Sequence, residues 1–154
     1  MARKSDEKKL YDEMTIKMLV RLCKICTDPF ELFYHMLKIG RLQSFSVILL
    51  RAESEDFTEF LRRNKRKTDV LYEVEGEDDL HVVLCQETQV DGGFYFMKRL
   101  AKILEKQEMP SFRAVIVGVE NTRYKIEELL FFIVDTYLKL DEDWEKQFVF
   151  RSVQ

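Results

Sequence analysis

Apolar residues recur at spacings of three and four from Leu10: Leu10, Met14, Met18, Leu22 and Ile25 share one helical face. Thr27-Asp28-Pro29-Phe30-Glu31 then reads as a new start. Asp28 can accept orphan N–H groups, Pro29 suits a first helical position, and Glu31 completes a capping box. A second helix is predicted there, bearing Phe30, Phe33, Tyr34 and Leu37 and stopping at Gly40. Residues 1–9 are polar and alternate in sign, so a frayed end is expected.

The stretch from Ser44 to Leu50 contains FSVILL, an apolar run suited to a buried strand. Ser54 can cap the next helix, whose narrow apolar stripe is Phe57, Phe60 and Leu61. The basic run Arg62 to Lys67 closes it, where cations complement the helix C-terminus. DVLYEVE and LHVVLCQ read as a hairpin around Gly76-Glu77-Asp78-Asp79, its first arm wet on one face. A helix over roughly 92–106 turns Phe96, Leu100, Ile103 and Leu104 inward, and Met109-Pro110-Ser111 breaks it. FRAVIVGVE reads as another buried strand, and Asn121-Thr122 opens a long helix through Ile126, Leu129, Leu130, Ile133, Val134 and Tyr137. Phe148-Val149-Phe150 is a last short strand.

After Gly40 the predicted order is β-α-β-β-α-β-α-β. Its first six elements form the split βαβ of a ferredoxin-like sheet. The fold class is therefore α+β, with an antiparallel or mixed sheet, two leading N-terminal helices, and helices mainly on one face. Residues 1–26 read as a tail and leading helix, and 27–154 as the domain proper.

Composition narrows the function classes. The 154 residues carry 25 basic and 28 acidic side chains, a net charge of −3, which argues against a dedicated nucleic-acid binder. A 46% hydrophobic share with five Gly and two Pro excludes general disorder. No apolar run approaches the ~18 residues of a membrane span, so no membrane insertion is expected. MARKSDEKKLYDEM lacks the apolar stretch of a secretory signal, and three cysteines fit a reducing compartment, so a cytoplasmic setting is expected.

Several candidate chemistries are weak. Cys23 and Cys26 form a C-x-x-C near the end of a helical pattern, where no N-terminal dipole activates a thiol. A zinc site would need more ligands, and Cys85, His35 and His81 lack paired spacing. These cysteines read as buried thiols. No G-x-S-x-G, H-E-x-x-H or P-loop is present. Gly92-Gly93 has two readings, an anion cradle or a plain helix-entry turn. The turn Glu75-Gly76-Glu77-Asp78-Asp79 is either a solvated turn or a weak cation site.

RKTDVLYEVEGEDDLHVVLCQET and TYLKLDEDWEKQFVF, together with the element order, resemble the GGDEF domain of diguanylate cyclases over roughly residues 27–151. That family bears its signature at the hairpin turn, and an R-x-x-D precedes it. The resemblance implies a cyclic di-GMP-responsive domain, but the catalytic positions depart from the family. The signature position reads Glu75-Gly76-Glu77-Asp78-Asp79, where Glu75 sets a carboxylate against the GTP phosphates. The first strand ends in Arg51-Ala52-Glu53 instead of a metal-holding Asp. Glu53, Glu77 and Asp78 are the remaining metal candidates, and Arg51 would repel the ions. ESEDFTEFLRRN is shortened and lacks the family's Phe-Lys pair and its Asn. Cyclase activity is therefore expected to be absent, with no metal and no cofactor.

Arg66-Lys67-Thr68-Asp69 keeps the R-x-x-D spacing immediately before the hairpin, where the family places its cyclic di-GMP site. Arg99 matches a further Arg that family members supply from the next helix. A guanidinium fork can hold guanine O6 and N7 or a phosphate, and an ionised Asp can accept from guanine N1–H and its amine. The expectation is a non-catalytic cyclic di-GMP receptor domain using Arg66, Asp69 and Arg99, working with a protein partner or as a homodimer. Three other readings stand beside it. Arg66 and Asp69 could be an incidental surface pair beside a solvated basic helix end. The scaffold could be a nucleotide-independent dimerisation module, using the leading helices or the helix over 126–138. It could also be an active nucleotidyl cyclase with an unusual site.

Overall fold

A computed structural model describes residues 2–52, 54–108, 112–142 and 147–153. Helix α1 spans Ala2–Lys38, followed by β1 Phe45–Ala52, α2 Phe57–Asn64, β2 Val70–Glu73 and β3 Leu80–Gln86. Then come α3 Val90–Lys106, β4 Phe112–Val119, α4 Ile126–Glu142 and β5 Phe148–Val153.

The five strands form one mixed sheet in the order β2-β3-β1-β4-β5. β1 lies antiparallel between β3 and β4, and β2 pairs antiparallel with β3. β5 runs parallel to β4, as the α4 crossover between them requires. β1, β3 and β4 are buried almost throughout. Strands with apolar side chains on both faces need cover on both faces.

The helices supply that cover from two sides, which corrects the expectation of helices mainly on one face. Met18, Leu22, Phe30 and Phe33 of α1 and Leu130, Ile133 and Val134 of α4 close over Phe45, Val47, Leu49, Val115 and Val117. Phe57 and Leu61 of α2 and Met97, Leu100 and Leu104 of α3 close over Ile48, Leu50, Val83, Ala114 and Ile116. Gly93 permits the α3 approach, because a Cβ there would stand 2.6 Å from Ile116 Cγ2.

The two leading helices are one. α1 continues through Pro29, and Asp28 lies in its interior without capping anything. A proline inside a helix costs about 3 kcal/mol. Against that stand Leu22, Cys26, Phe30 and Phe33, all buried along the same face, and burying a large apolar side chain is worth roughly 1.5–3 kcal/mol. Phe30, Phe33 and Tyr34 gather around Phe45, with ring centroids 5.7, 5.0 and 6.4 Å away. Tertiary packing thus overrides the local stop signal. Residues 2–9, expected to fray, extend the same helix. They are rich in Arg, Lys and Glu, which propagate a helix readily once a nucleus exists.

Smaller boundaries also move. Asp56, not Ser54, occupies the N-cap position of α2, and it makes no side-chain cap bond. Gly92 and Gly93 lie inside the first turn of α3, not before it. The connection into α4 begins with an Asx turn, Asn121 Oδ1 accepting from the Arg123 N–H at 3.0 Å, and the helix starts at Ile126. Glu53 and the proposed break at Met109-Pro110-Ser111 fall outside the described residues. No helix among the described residues is long and apolar enough to cross a membrane.

Candidate functional site

The loop joining α2 to β2 carries Arg66 and Asp69. The Asp69 N–H donates to the Arg66 carbonyl at 3.1 Å, which closes a tight turn. The carboxylate folds back under that turn. It accepts from the Arg66 backbone N–H at 3.0 Å and from Nε and Nη2 of the same residue at 3.1 and 3.0 Å. Arg66 Nη2 also donates to the Gln86 carbonyl at 3.0 Å and to the Thr88 hydroxyl. The guanidinium is thereby pinned to the end of β3.

Exposure differs sharply across this pair. The Asp69 side chain is 2% exposed and the Arg66 side chain 50%. The hydrogen bond to Asp69 pushes the Arg66 pKa up, so the charge is permanent. Both Asp69 oxygens accept from Arg66, which fixes the plane of that guanidinium.

Arg66, Asp69 and Arg99 line one cavity of about 600 Å³ between the hairpin base and the start of α3. Glu87, Thr88, Asp91, Tyr95 and Phe96 complete much of its wall. The Arg99 guanidinium lies over the Phe96 ring, 5.2 Å from its centroid. Glu87 has φ +53°, a conformation that non-glycine residues seldom take. Its N–H donates to the Ser44 carbonyl at 2.8 Å, and its carboxylate accepts from the Gln43 N–H at 3.2 Å, which holds the turn. Asp91, Tyr95 and Arg99 stand at four-residue spacing on α3. That spacing is visible in the sequence.

The hairpin turn forms a second polar centre. Glu77 accepts from Arg21 of α1 and, at 2.9 Å, from Arg51 Nη2 of β1. Gly76, at φ +86°, lets the Arg21 guanidinium lie against the turn, since a Cβ there would stand 3.0 Å from Arg21 Nε. Arg51 and Arg21 thus both engage the Glu77 carboxylate. Among the described residues no three His, Cys, Asp or Glu side chains gather as metal ligands. No sequence signal links Arg21 to Glu77, because 56 positions separate them.

The thiols and imidazoles take plain structural places. Cys26 and Cys85 are buried, and burial pushes each thiol up to about 12. Cys23 is raised by the same cause. His81 packs edge-on against Phe57, receives the Thr58 hydroxyl at Nε2 (2.7 Å), and donates from Nδ1 to the Asp79 carbonyl at 3.1 Å. That proton assignment follows from the carbonyl, which can only accept.

No protein-family model matches the sequence, and no curated protein matches it. Solved structures do. The diguanylate cyclase SiaD, in complex with its activator SiaC from Pseudomonas aeruginosa, aligns at 13% identity over 97% of this chain and 79% of that one, with a TM-score of 0.49. PelD 156-455 from Pseudomonas aeruginosa PA14, in its apo form, aligns at 13% identity over 77% of this chain and 48% of that one, with a TM-score of 0.43.

Proposed function

We propose that this chain is a non-catalytic regulatory domain of GGDEF type that binds cyclic di-GMP in the cavity between the hairpin base and α3. The observation that carries this reading is the meeting of Arg66 and Arg99, 33 positions apart, as lining residues of one cavity. Arg99 presents a planar guanidinium fork suited to phosphate oxygens or to guanine O6 and N7, and Arg66, whose Nε and Nη2 donate to Asp69, Gln86 and Thr88, keeps its Nη1 amine for an anionic oxygen. Asp69 supports the reading indirectly, because it fixes the plane of Arg66. The absence of catalysis is supported by Glu77, whose carboxylate engages two guanidiniums. A metal ion would have to displace both.

Isothermal titration calorimetry with cyclic di-GMP tests this reading. The expected result is saturable heat in the wild type, with Arg66→Ala and Arg99→Ala each weakening affinity about tenfold or more. No heat from the wild type overturns the reading. Incubation with GTP and Mg²⁺ or Mn²⁺ is expected to yield no cyclic product, and any such product overturns the non-catalytic part.

A second reading has its own observation. Phe131 and Phe132 are 50% and 37% exposed on α4 and border an apolar hollow of about 730 Å³ with Tyr124 and Val153. On this reading the domain is a dimerisation module independent of nucleotide. A concentration-dependent mass in light scattering, unchanged by cyclic di-GMP and abolished by Phe131→Ser with Phe132→Ser, would favour it.

A further inference from the structure

A guanine is distinguished from an adenine by its donor edge, N1–H and the exocyclic amine, and the side chain that reads two adjacent donors is a carboxylate. Asp69 is poorly placed for this, at 2% exposure with both oxygens accepting from Arg66. Two other carboxylates line the cavity, those of Glu87 and Asp91. Glu87 accepts from the Gln43 N–H through both oxygens, at 3.2 and 3.4 Å. Asp91 is exposed and has no side-chain partner among the described residues.

Asp91 is also placed in a row. Asp91, Tyr95 and Arg99 succeed one another on a single face of α3, and all three line the cavity. Eight residues of helix span about 12 Å, room for one nucleotide laid along the face. The row offers an acceptor pair, then an aromatic ring, then a guanidinium. Tyr95 is 68% exposed, the most exposed of the large apolar side chains described. Exposed aromatic rings beside cationic groups are the usual platform on which bases stack.

We propose that Asp91 and Tyr95 make this cavity selective for guanine over adenine: Asp91 accepts the guanine donor edge, and Tyr95 stacks on the base whose phosphate Arg99 holds. The proposal rests on the cyclic dinucleotide reading above and adds the residues that choose the base. Adenine presents a lone pair at N1, which a carboxylate repels. Stacking on Tyr95 favours either purine.

Calorimetry with cyclic di-GMP and cyclic di-AMP, on the wild type, Asp91→Ala and Tyr95→Ala, decides the matter. The wild type is expected to prefer cyclic di-GMP by about tenfold to a hundredfold, the discrimination of one well-made bidentate contact. Asp91→Ala is expected to erase that preference by weakening cyclic di-GMP alone. Tyr95→Ala is expected to weaken both ligands and keep the preference. Both residues are exposed, and unchanged circular dichroism verifies that the variants fold. A preference that survives Asp91→Ala overturns the assignment to Asp91. Affinities that ignore Tyr95→Ala overturn the assignment to Tyr95. A wild type that binds neither ligand overturns the parent reading, and this proposal falls with it.

Discussion

The carboxylate of Glu77 ties Arg51, near the end of β1, to the hairpin turn at 2.9 Å. The same carboxylate receives Arg21 from α1. One anion thus joins three elements. Glu77→Ala leaves two partly buried guanidiniums facing each other, and it is expected to cost about 1–2 kcal/mol after allowing for solvent screening. The melting temperature should fall by about 2–8 °C. A double-mutant cycle with Arg21→Ala should return a positive coupling, and a cycle that closes additively would refute the three-way tie.

Arg66–Asp69 and Arg62–Glu59 are both ion pairs three positions apart, but their settings differ. Asp69 is buried, whereas Arg62 and Glu59 are each more than half exposed, with N–O separation of 3.5 Å. Chemical denaturation of the two double-mutant cycles should give about 1–3 kcal/mol of coupling for the first pair and no more than about 0.5 for the second. Equal values would contradict the burial assigned to Asp69.

Neighbouring glycines in α3 should respond oppositely to alanine. At Gly93 the added Cβ would meet Ile116 Cγ2 at 2.6 Å in the packed core, so Gly93→Ala should destabilise by about 1–3 kcal/mol. At Gly92 it would meet only the Thr88 methyl at 3.0 Å. Gly92→Ala should be neutral or slightly stabilising, since alanine is the better helix former. Thermal melts of the two variants separate these outcomes.

His81 is held neutral in the fold: burial lowers its pKa below the ordinary 6.5, outweighing the hydrogen bond to the Asp79 carbonyl. The unfolded chain therefore takes up the proton first as pH drops. The stability from the neutral ring is complete above about pH 6.5 and declines below it, by at most about 1.4 kcal/mol per pH unit. The melting temperature of the wild type should drop on acidification through this window, and the slope should flatten in His81→Gln. Parallel profiles for the two proteins would remove His81 from the account.

The thiols should be unreactive in the native protein. Cys26 and Cys85, pushed up to about 12 by burial, should resist iodoacetamide at pH 8 until the chain is denatured. Rapid labelling of Cys26 in the native state would reopen a redox role for the C-x-x-C, and rapid labelling of Cys85 would contradict its burial.

Local periodicity made much of the fold legible. Phe57, Phe60 and Leu61 are a buried stripe, as their spacing suggested, and the apolar runs at Phe45–Ala52 and Phe112–Val119 are strands. Pro29 misled, because its local cost is set against long-range packing on Phe45 that no short window contains. Strands with no polar side, such as Phe45–Ala52 and Phe112–Val119, imply helices on both faces. Arg66 and Asp69, singled out by the R-x-x-D spacing, and Arg99, singled out by the family resemblance, line one cavity. The order of exposure within the pair is not legible in the sequence, since Gln86 and Thr88, which hold Arg66, lie 20 and 22 positions further along the chain.

Arg66 has a further consequence. A loose arginine gives up about 1.5–2 kcal/mol of rotamer freedom when it seizes an anion. Here Asp69, Gln86 and Thr88 have already frozen that side chain during folding. On the function proposed above, an incoming anion would meet the Arg66 Nη1 amine already held in place, and complex formation would carry little conformational penalty on the protein's side.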